Sequence, residues 1–468
     1  MRAVIGALAL ISIAATAQAQ ISADDLSRRL IDRRAFQAVV WGMPAANYQL
    51  MYQEMVDKVK GGHNQVLYWS RLLDWKNQTL TPNPDVIYLM PFFNTQDVGP
   101  VVLEIPPADD GVFNGSIMNF WQAAIEDVGP GGLDKGKGGK YAFLPPGFDQ
   151  TKLPDGYIAM PSDTYRGYAL LRSVLRSGSD ADVATALAYS KRIKLYPLSQ
   201  ADNPPETKFV DAADVLFDST IPYDMRFFRA LNDIVQAEPW LERDKSMIDI
   251  LKTIGIERGK PFSPDATTQR ALDEAIKEAH LWLDSLIDTL PPFNPGARWF
   301  FPITEEMHQN VMSFWHTPDS FPIDARGMAY SLAFFSAKHV GEAQYYLMTT
   351  SDREATPLQG NTSYRVRVPP NVPVTQYWSM TVYNRATHSF IRNARWVGRS
   401  SQTPGLQKNA DGSVDLYFGP KAPATRESNW IPTDPNGRFE VLARFYGPQK
   451  PLFDRSWRLQ DVEKVTAP

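Results

Sequence analysis

Asn83-Pro84-Asp85 stands just ahead of a short apolar run that carries Tyr88. Pro84 fixes its own φ and biases Asn83 towards extended backbone, so two short polar side chains are aimed in defined directions. Read functionally, Asp85 is a general base or a ligand anchor, and Tyr88 a hydroxyl donor on a nearby strand face. Read structurally, the same residues close an Asx turn. Further on, Trp121 and Gln122 lie in an apolar stretch, where an unpaired buried amide costs about 1–3 kcal/mol, so Gln122 needs a partner. Glu126 and Asp127 follow. Asp85 and Asp127 would form a carboxylate pair with one raised pKa if the fold joined them; a solvated surface is the alternative for Glu126-Asp127. Arg172 shares a strand face with Tyr168 and Leu170, a poor place for an unpaired charge. It either pairs with a carboxylate or clamps an anionic or carbonyl-bearing ligand. Arg444 and Tyr446 pose the same choice. His388, near Tyr383, Asn384, Arg385 and Arg392, is a candidate acid or base, or a loop hydrogen-bonding group.

The candidate catalytic residues are therefore Asp85, Arg172, Arg444 and Asp127. Asn83, Tyr88, Trp121, Gln122, Tyr383, His388 and Tyr446 are the candidate substrate-binding residues. A chain with no cysteine excludes disulfides, thiolate nucleophiles and thiolate-bound metals. There is no G-x-S-x-G elbow and no H-E-x-x-H. The glycine-rich run 131–138 lacks the Ser or Thr that would meet Mg²⁺ in a phosphate loop. Asn77-Gln78-Thr79 matches a glycosylation sequon and nothing more. Six histidines, His308 and His316 among them, show no metal-ligand spacing, and no metal or cofactor is expected. With 48 basic against 52 acidic residues and net charge −4, nothing favours nucleic acid as a partner. The expected partner is a small-molecule ligand or substrate.

The elements that must position these residues alternate in texture. Ser22-Ala23-Asp24-Asp25 offers N-cap chemistry ahead of a helix that Gly42 and Pro44 should kink or split. From Val86 to Tyr196 short β-rich runs follow, separated by Gly, Pro, Asn and Asp; Ile117–Ala124 is read as one of them. From about Asp211 to Thr350 helical periodicity returns, with a strong helix through Leu272–Leu290 and a second one from Asp324 towards Met348. The remainder is β again: Tyr364, Val366 and Val368 alternate with Arg365 and Arg367. In Phe439–Tyr446 one face is apolar, and the other, with Arg444 and Tyr446, must meet solvent, another domain or a ligand. Arg2, an apolar run and Ala17-Gln18-Ala19 read as a secretory signal cleaved near Ala19, placing the protein in the periplasm or medium. No later stretch suits a membrane span. The expected boundaries are 1–19 for the signal, 20–205 for a helix plus β-rich domain, 206–350 for a mainly helical connection and 351–468 for a C-terminal β-sandwich.

At Thr81-Pro82-Asn83-Pro84-Asp85-Val86-Ile87-Tyr88 the sequence resembles the N-x-D-x-x-Y signature of an exported bacterial family catalogued as domain of unknown function 1254. Trp378–Tyr383, Asp411-Gly412-Ser413, Asn429–Pro432 and Arg444–Pro448 resemble its usual partner, domain of unknown function 1214. The resemblance implies an α+β fold, two β-sandwich or jelly-roll-like units joined and flanked by helices. Val86 departs from the family's common Thr. Two functional classes follow from the residues: a hydrolase acting on a small organic substrate in an aromatic inter-domain cleft, or a non-catalytic periplasmic ligand-binding or envelope-associated protein.

Overall fold

The computed structural model describes residues 21–312, 320–334, 337–339 and 344–465. The expected signal segment and His316 lie outside them. The first element is a single helix, Ala23–Val59, capped by the Ser22 hydroxyl, which accepts the Asp25 N–H at 3.1 Å. The break expected at Gly42-Pro44 does not occur. An interior proline costs a helix about 3 kcal/mol, but from Ala35 to Met55 this one is largely buried against the helices Met225–Ala237, Ala266–Asp288 and Ile323–Leu332. Packing outweighs the lost backbone bond.

The N-terminal β-rich part is two sheets. One runs in the order 209–211, 65–68, 86–94, 166–174, 113–119, 124–128; the other in the order 194–197, 101–105, 139–144, 157–161. Strand alternation sorts the side chains between two environments. Ile87, Leu89, Phe93, Ala169 and Leu171 enter the space between the sheets with Leu103, Tyr141 and Phe143. Tyr88, Met90, Phe92, Tyr168 and Leu170 face the helices instead. The C-terminal part repeats the plan. A sheet ordered 344–349, 439–446, 378–384, 389–390, with 398–400 also on 378–384, packs on another ordered 430–432, 414–419, 364–368, 463–464. Val441, Ala443 and Phe445 fill this sandwich, while Tyr383, Leu442 and Met348 turn outward into the same helical core as Tyr88 and Leu170. The fold is α+β: two sandwiches, each laying the back of one sheet on a shared body of helices.

Two further expectations need correction. Ile117–Ala124 is not one strand. Strands Phe113–Asn119 and Ala124–Val128 are joined by a tight turn in which Asn119 accepts the N–H of Ala123 on its side chain and that of Gln122 on its carbonyl, with Gln122 at φ 58°. Trp121 and Gln122 thus sit in a turn and on no strand face. The helix from Asp324 ends at Leu332, and Gln344–Thr349 is a strand paired antiparallel with 439–446. Tyr345, Tyr346 and Thr349 suit a pleated surface, and the partner strand lies far along the chain.

Candidate functional site

Where the two sandwiches and the helices meet there is a cavity with about 60 Å³ of free space. A water needs roughly 10–15 Å³ measured this way, so the space takes a few waters or the body of a small organic molecule. Its walls are mostly apolar, including Leu73, Leu80, Met90, Leu170, Ile303 and Met307, with Ala329, Leu332 and Ala333 from the helix Ile323–Leu332 and its end. The polar lining is Asn77, Thr79, Thr81, Asn83, Tyr88, Arg172, Tyr330, Tyr346 and Arg444. Among the described lining residues there are two arginines and no carboxylate.

Sheet register assembles the polar side. Arg172 lies directly across from Tyr88 on one neighbouring strand, and Arg444 lies between Tyr346 and Ser379. Arg172, 5% exposed, gives its Nε–H to the Tyr88 hydroxyl at 3.4 Å and stands over that ring. Among the described residues its terminal nitrogens have no hydrogen-bond partner, and no carboxylate lies within ion-pair distance. Burial disfavours its charge, yet the surrounding phenols of Tyr88, Tyr346 and Tyr446 more than offset that and raise its pKa. Arg444 is also buried, but both of its terminal nitrogens are engaged. It donates to Thr381 Oγ1 at 2.8 Å, to the carbonyls of Thr81 at 2.8 Å and Pro82 at 3.1 Å, and to the Tyr383 hydroxyl. Tyr383 in turn donates to the Pro82 carbonyl. Arg444 therefore holds the 81–83 loop of the N-terminal part onto the C-terminal sheet.

Asn83, 1% exposed, is the second bridge. Its side-chain nitrogen donates to Tyr446 at 2.6 Å and Tyr377 at 3.3 Å, two rings stacked 4.4 Å apart. Its N–H donates to the Tyr88 hydroxyl at 3.1 Å, and its side-chain oxygen accepts the Asp85 N–H at 3.0 Å. The Asx turn and the inter-domain contact are the same residue. Tyr88 Oη thus accepts two N–H groups, leaving its own proton to be donated. Asp85 is half-buried, outside the cavity lining, with Ser379 and Ser400 beside its carboxyl; burial pushes it up to about 6 while Arg444 and the two serines pull it back.

The remaining candidates stand away from the cavity, and the geometry gives them other tasks. Asp127 accepts the Ser116 hydroxyl at 2.6 Å and the backbone N–H groups of Lys338 and His339, and Glu126 takes the Lys338 ammonium at 2.8 Å. This carboxylate pair anchors residues 338–339 beside Ala337, which does line the cavity; Asp85 is not paired with Asp127. Trp121 packs on Trp41 with ring centroids 4.9 Å apart. Gln122 donates to the Pro44 carbonyl at 2.7 Å and accepts from Tyr168 at 2.9 Å, so its need for partners is met inside the core. His388, fully buried at φ 50°, lies 2.9 Å from Glu440 and 3.3 Å from Asp284. Asp284 is further bound by Arg385 at 2.8 Å. Burial works against the His388 charge, but Glu440 and Asp284 outweigh it and push the imidazole up to about 9. Its backbone carbonyl accepts the Thr81 N–H at 2.7 Å, so His388 reaches the site through the main chain.

Five polar lining residues, Asn77, Thr79, Thr81, Tyr330 and Tyr346, are not among the sequence candidates: Asn77 and Thr79 read as a sequon, Thr81 only as part of the family signature, and Tyr330 and Tyr346 fall in a stretch whose apolar spacing reads as one helix. Buried Asn77 accepts the Thr79 hydroxyl at 2.8 Å, and its amide nitrogen has no partner among the described residues. No group of three or more His, Asp or Glu able to hold a metal occurs among the described residues.

Two sandwiches that share one helical body and one cavity define the class of protein. The description "Protein of unknown function (DUF1254)" matches residues 63–197 and "Protein of unknown function (DUF1214)" matches residues 343–450, and the chain belongs to the two-domain family in which they are joined. The VPA0106 protein from Vibrio parahaemolyticus has the same fold, with a TM-score of 0.58 at 18% identity over 93% of this chain and 100% of that one. A putative uncharacterized protein from Burkholderia cenocepacia aligns at TM-score 0.41 and 10% identity over 94% of this chain and 96% of that one. No curated protein matches the sequence.

Proposed function

We propose that the protein binds a small organic molecule in the cavity between its two sandwiches. The observation that carries this reading is Arg172, a buried cation whose terminal donors are unmet among the described residues, facing an apolar-walled space. A fold has no structural use for such a group, whereas a ligand does. Hydrolysis of that ligand is the second reading. The Arg172–Tyr88 pair supports it, because a fixed cation in a dry pocket stabilises a developing oxyanion and an adjacent phenol can protonate a leaving group. Against turnover, none of the described lining residues is a carboxylate or imidazole that would activate water. Export by the N-terminal segment is part of the proposal, and N-terminal sequencing of protein recovered from the host's periplasm checks it.

A panel of esters, amides and phosphoesters incubated with the purified protein tests both readings. Turnover that vanishes in Arg172→Met and falls in Tyr88→Phe, with Asp85→Ala as control, establishes the hydrolase. Ligand-induced thermal stabilisation without product establishes binding alone. A panel that neither reacts nor stabilises, with Arg172→Met indistinguishable from wild type, overturns the assignment of the cavity.

A further inference from the structure

The reading above leaves the chemistry of the ligand open, and the cavity narrows it. We propose that the occupant is a small organic oxyanion with a short apolar body, its oxygens on Arg172 and its body among Leu80, Met90, Leu170, Ile303 and Met307. This rests on the cavity being a ligand site and goes beyond it by fixing the sign of the ligand's charge.

Three observations converge. The Nε of Arg172 is occupied by Tyr88, which leaves Nη1 and Nη2, the fork that meets two oxygens of one anion, without partners among the described residues. The described lining holds a second buried cation, Arg444, and no Asp or Glu; Asp85 acts on Arg444 from outside the lining, so the positive charge left uncancelled inside the low-dielectric walls is that of Arg172. Two further donors in the described lining are of the kind that complements oxygen: the Tyr88 hydroxyl, whose oxygen already accepts two N–H groups, and the amide nitrogen of Asn77, 3% exposed. A cationic ligand would face two guanidiniums. A neutral apolar one would leave the Arg172 fork desolvated and unmet, which is the more costly arrangement. With about 60 Å³ of room, the body is limited to a few carbons.

Titration calorimetry with the full chain tests this, using straight-chain carboxylates from acetate to octanoate, the matching alkyl phosphates, and the neutral amides and alcohols of equal length. At least one anionic series should bind about tenfold or more tightly than its neutral counterparts, with affinity rising and then falling with chain length. The preference should disappear in Arg172→Met and persist in Arg172→Lys, which keeps the charge. Ala333→Phe, which fills the cavity without touching a charge, should abolish binding while the circular dichroism and melting transition persist. The two anionic arms decide between carboxylate and phosphate. Neutral compounds that bind as tightly as anions, and are excluded by Ala333→Phe, overturn the anion and leave the cavity reading intact. Anion binding unaffected by Ala333→Phe places the ligand elsewhere and overturns both, as does a panel in which nothing binds. If Arg172→Met fails to fold, the Arg172→Lys profile and the neutral series still decide.

Discussion

A guanidinium taken out of water costs several kcal/mol unless its donors are met. Arg444 meets those of its terminal nitrogens with Thr381, Tyr383 and two carbonyls; Arg172 meets one among the described residues. Arg444→Met should therefore lower unfolding stability by about 2–5 kcal/mol, because it strands the Thr81 carbonyl and the Thr381 hydroxyl at about 1–3 kcal/mol each. Arg172→Met should leave it within about 1 kcal/mol of wild type, because the side chain gives up only its bond to the Tyr88 hydroxyl and its contact with that ring. Urea denaturation of the two variants side by side is the measurement, and equal losses would mean that Arg172 is structural. Asp85 gives a second prediction. Its folded pKa of about 6 lies above the unfolded value of 3.8, so the folded state binds the extra proton. The associated stability is complete below about pH 4 and is lost as pH rises through 6, by on the order of 2 kcal/mol. Asp85→Asn should remove that component, so the wild-type-minus-variant difference should fall between pH 4 and 6 and be level above. The sequence made Arg172 conspicuous, because a charge on the strand face of Tyr168 and Leu170 has few explanations. It could not show that Arg444 is satisfied and Arg172 is not, since the difference lies in carbonyls supplied by Thr81 and Pro82 from the other end of the chain.

Elements whose alternation is local were legible, and those whose logic is tertiary were not. Tyr364–Val368 and Phe439–Tyr446 run as strands over the expected residues, because each writes its two faces in its own sequence. The 120–123 turn reads as strand because Phe120, Trp121 and Ala123 are apolar, and they are apolar because the turn is buried, with Trp121 on Trp41 and Gln122 bonded to the Pro44 carbonyl. The helix Ile323–Leu332, which supplies Ala329, Tyr330 and Leu332 to the cavity, depends on a close approach that composition does not reveal. A Cβ at Gly327 would stand 2.8 Å from Val40 Cγ1 and 2.9 Å from the Val40 carbonyl oxygen of the N-terminal helix. Helix propensity alone would have Gly327→Ala gain about 1 kcal/mol. The contact with backbone should reverse the sign, costing about 1–3 kcal/mol through forced separation of the two helices. Equilibrium unfolding of Gly327→Ala decides, and any gain in stability would show that the helices have room to move apart.

At the scale of the whole molecule, the two sandwiches and the helices are tied where charge is buried between them. His388 and Glu440 belong to the C-terminal part, Asp284 to the helix Ala266–Asp288, and Arg385 joins Asp284, Asp288 and Glu440. His280, on the same helix, stacks on Tyr223 and approaches Asp284 at 3.7 Å. The His388 imidazole titrates near 9 in the folded protein against 6.5 unfolded, so its contribution is complete below about pH 6.5 and is lost as pH rises through 9. Asp284, held at about 2 against 3.8, contributes above about pH 4 and loses that contribution as pH falls through 2. The tie is thus strongest between about pH 4 and 6.5. Wild-type stability should fall from pH 6.5 to 9 by on the order of 2–3 kcal/mol through His388. His388→Asn keeps a residue that tolerates the positive φ and removes the charge. It should be the less stable protein at pH 6.5 and approach wild type by pH 9, because only one of the two has a proton to lose. Because the His388 carbonyl holds Thr81, and the Thr81 carbonyl holds Arg444, the same variant should also weaken ligand binding at pH 6.5 without any side chain in the cavity having changed. Denaturation and calorimetry on one preparation at both pH values separate the outcomes: a His388→Asn protein that stays parallel to wild type in stability would place the pH dependence elsewhere. One that loses stability but not affinity would show that the clasp and the cavity are mechanically independent.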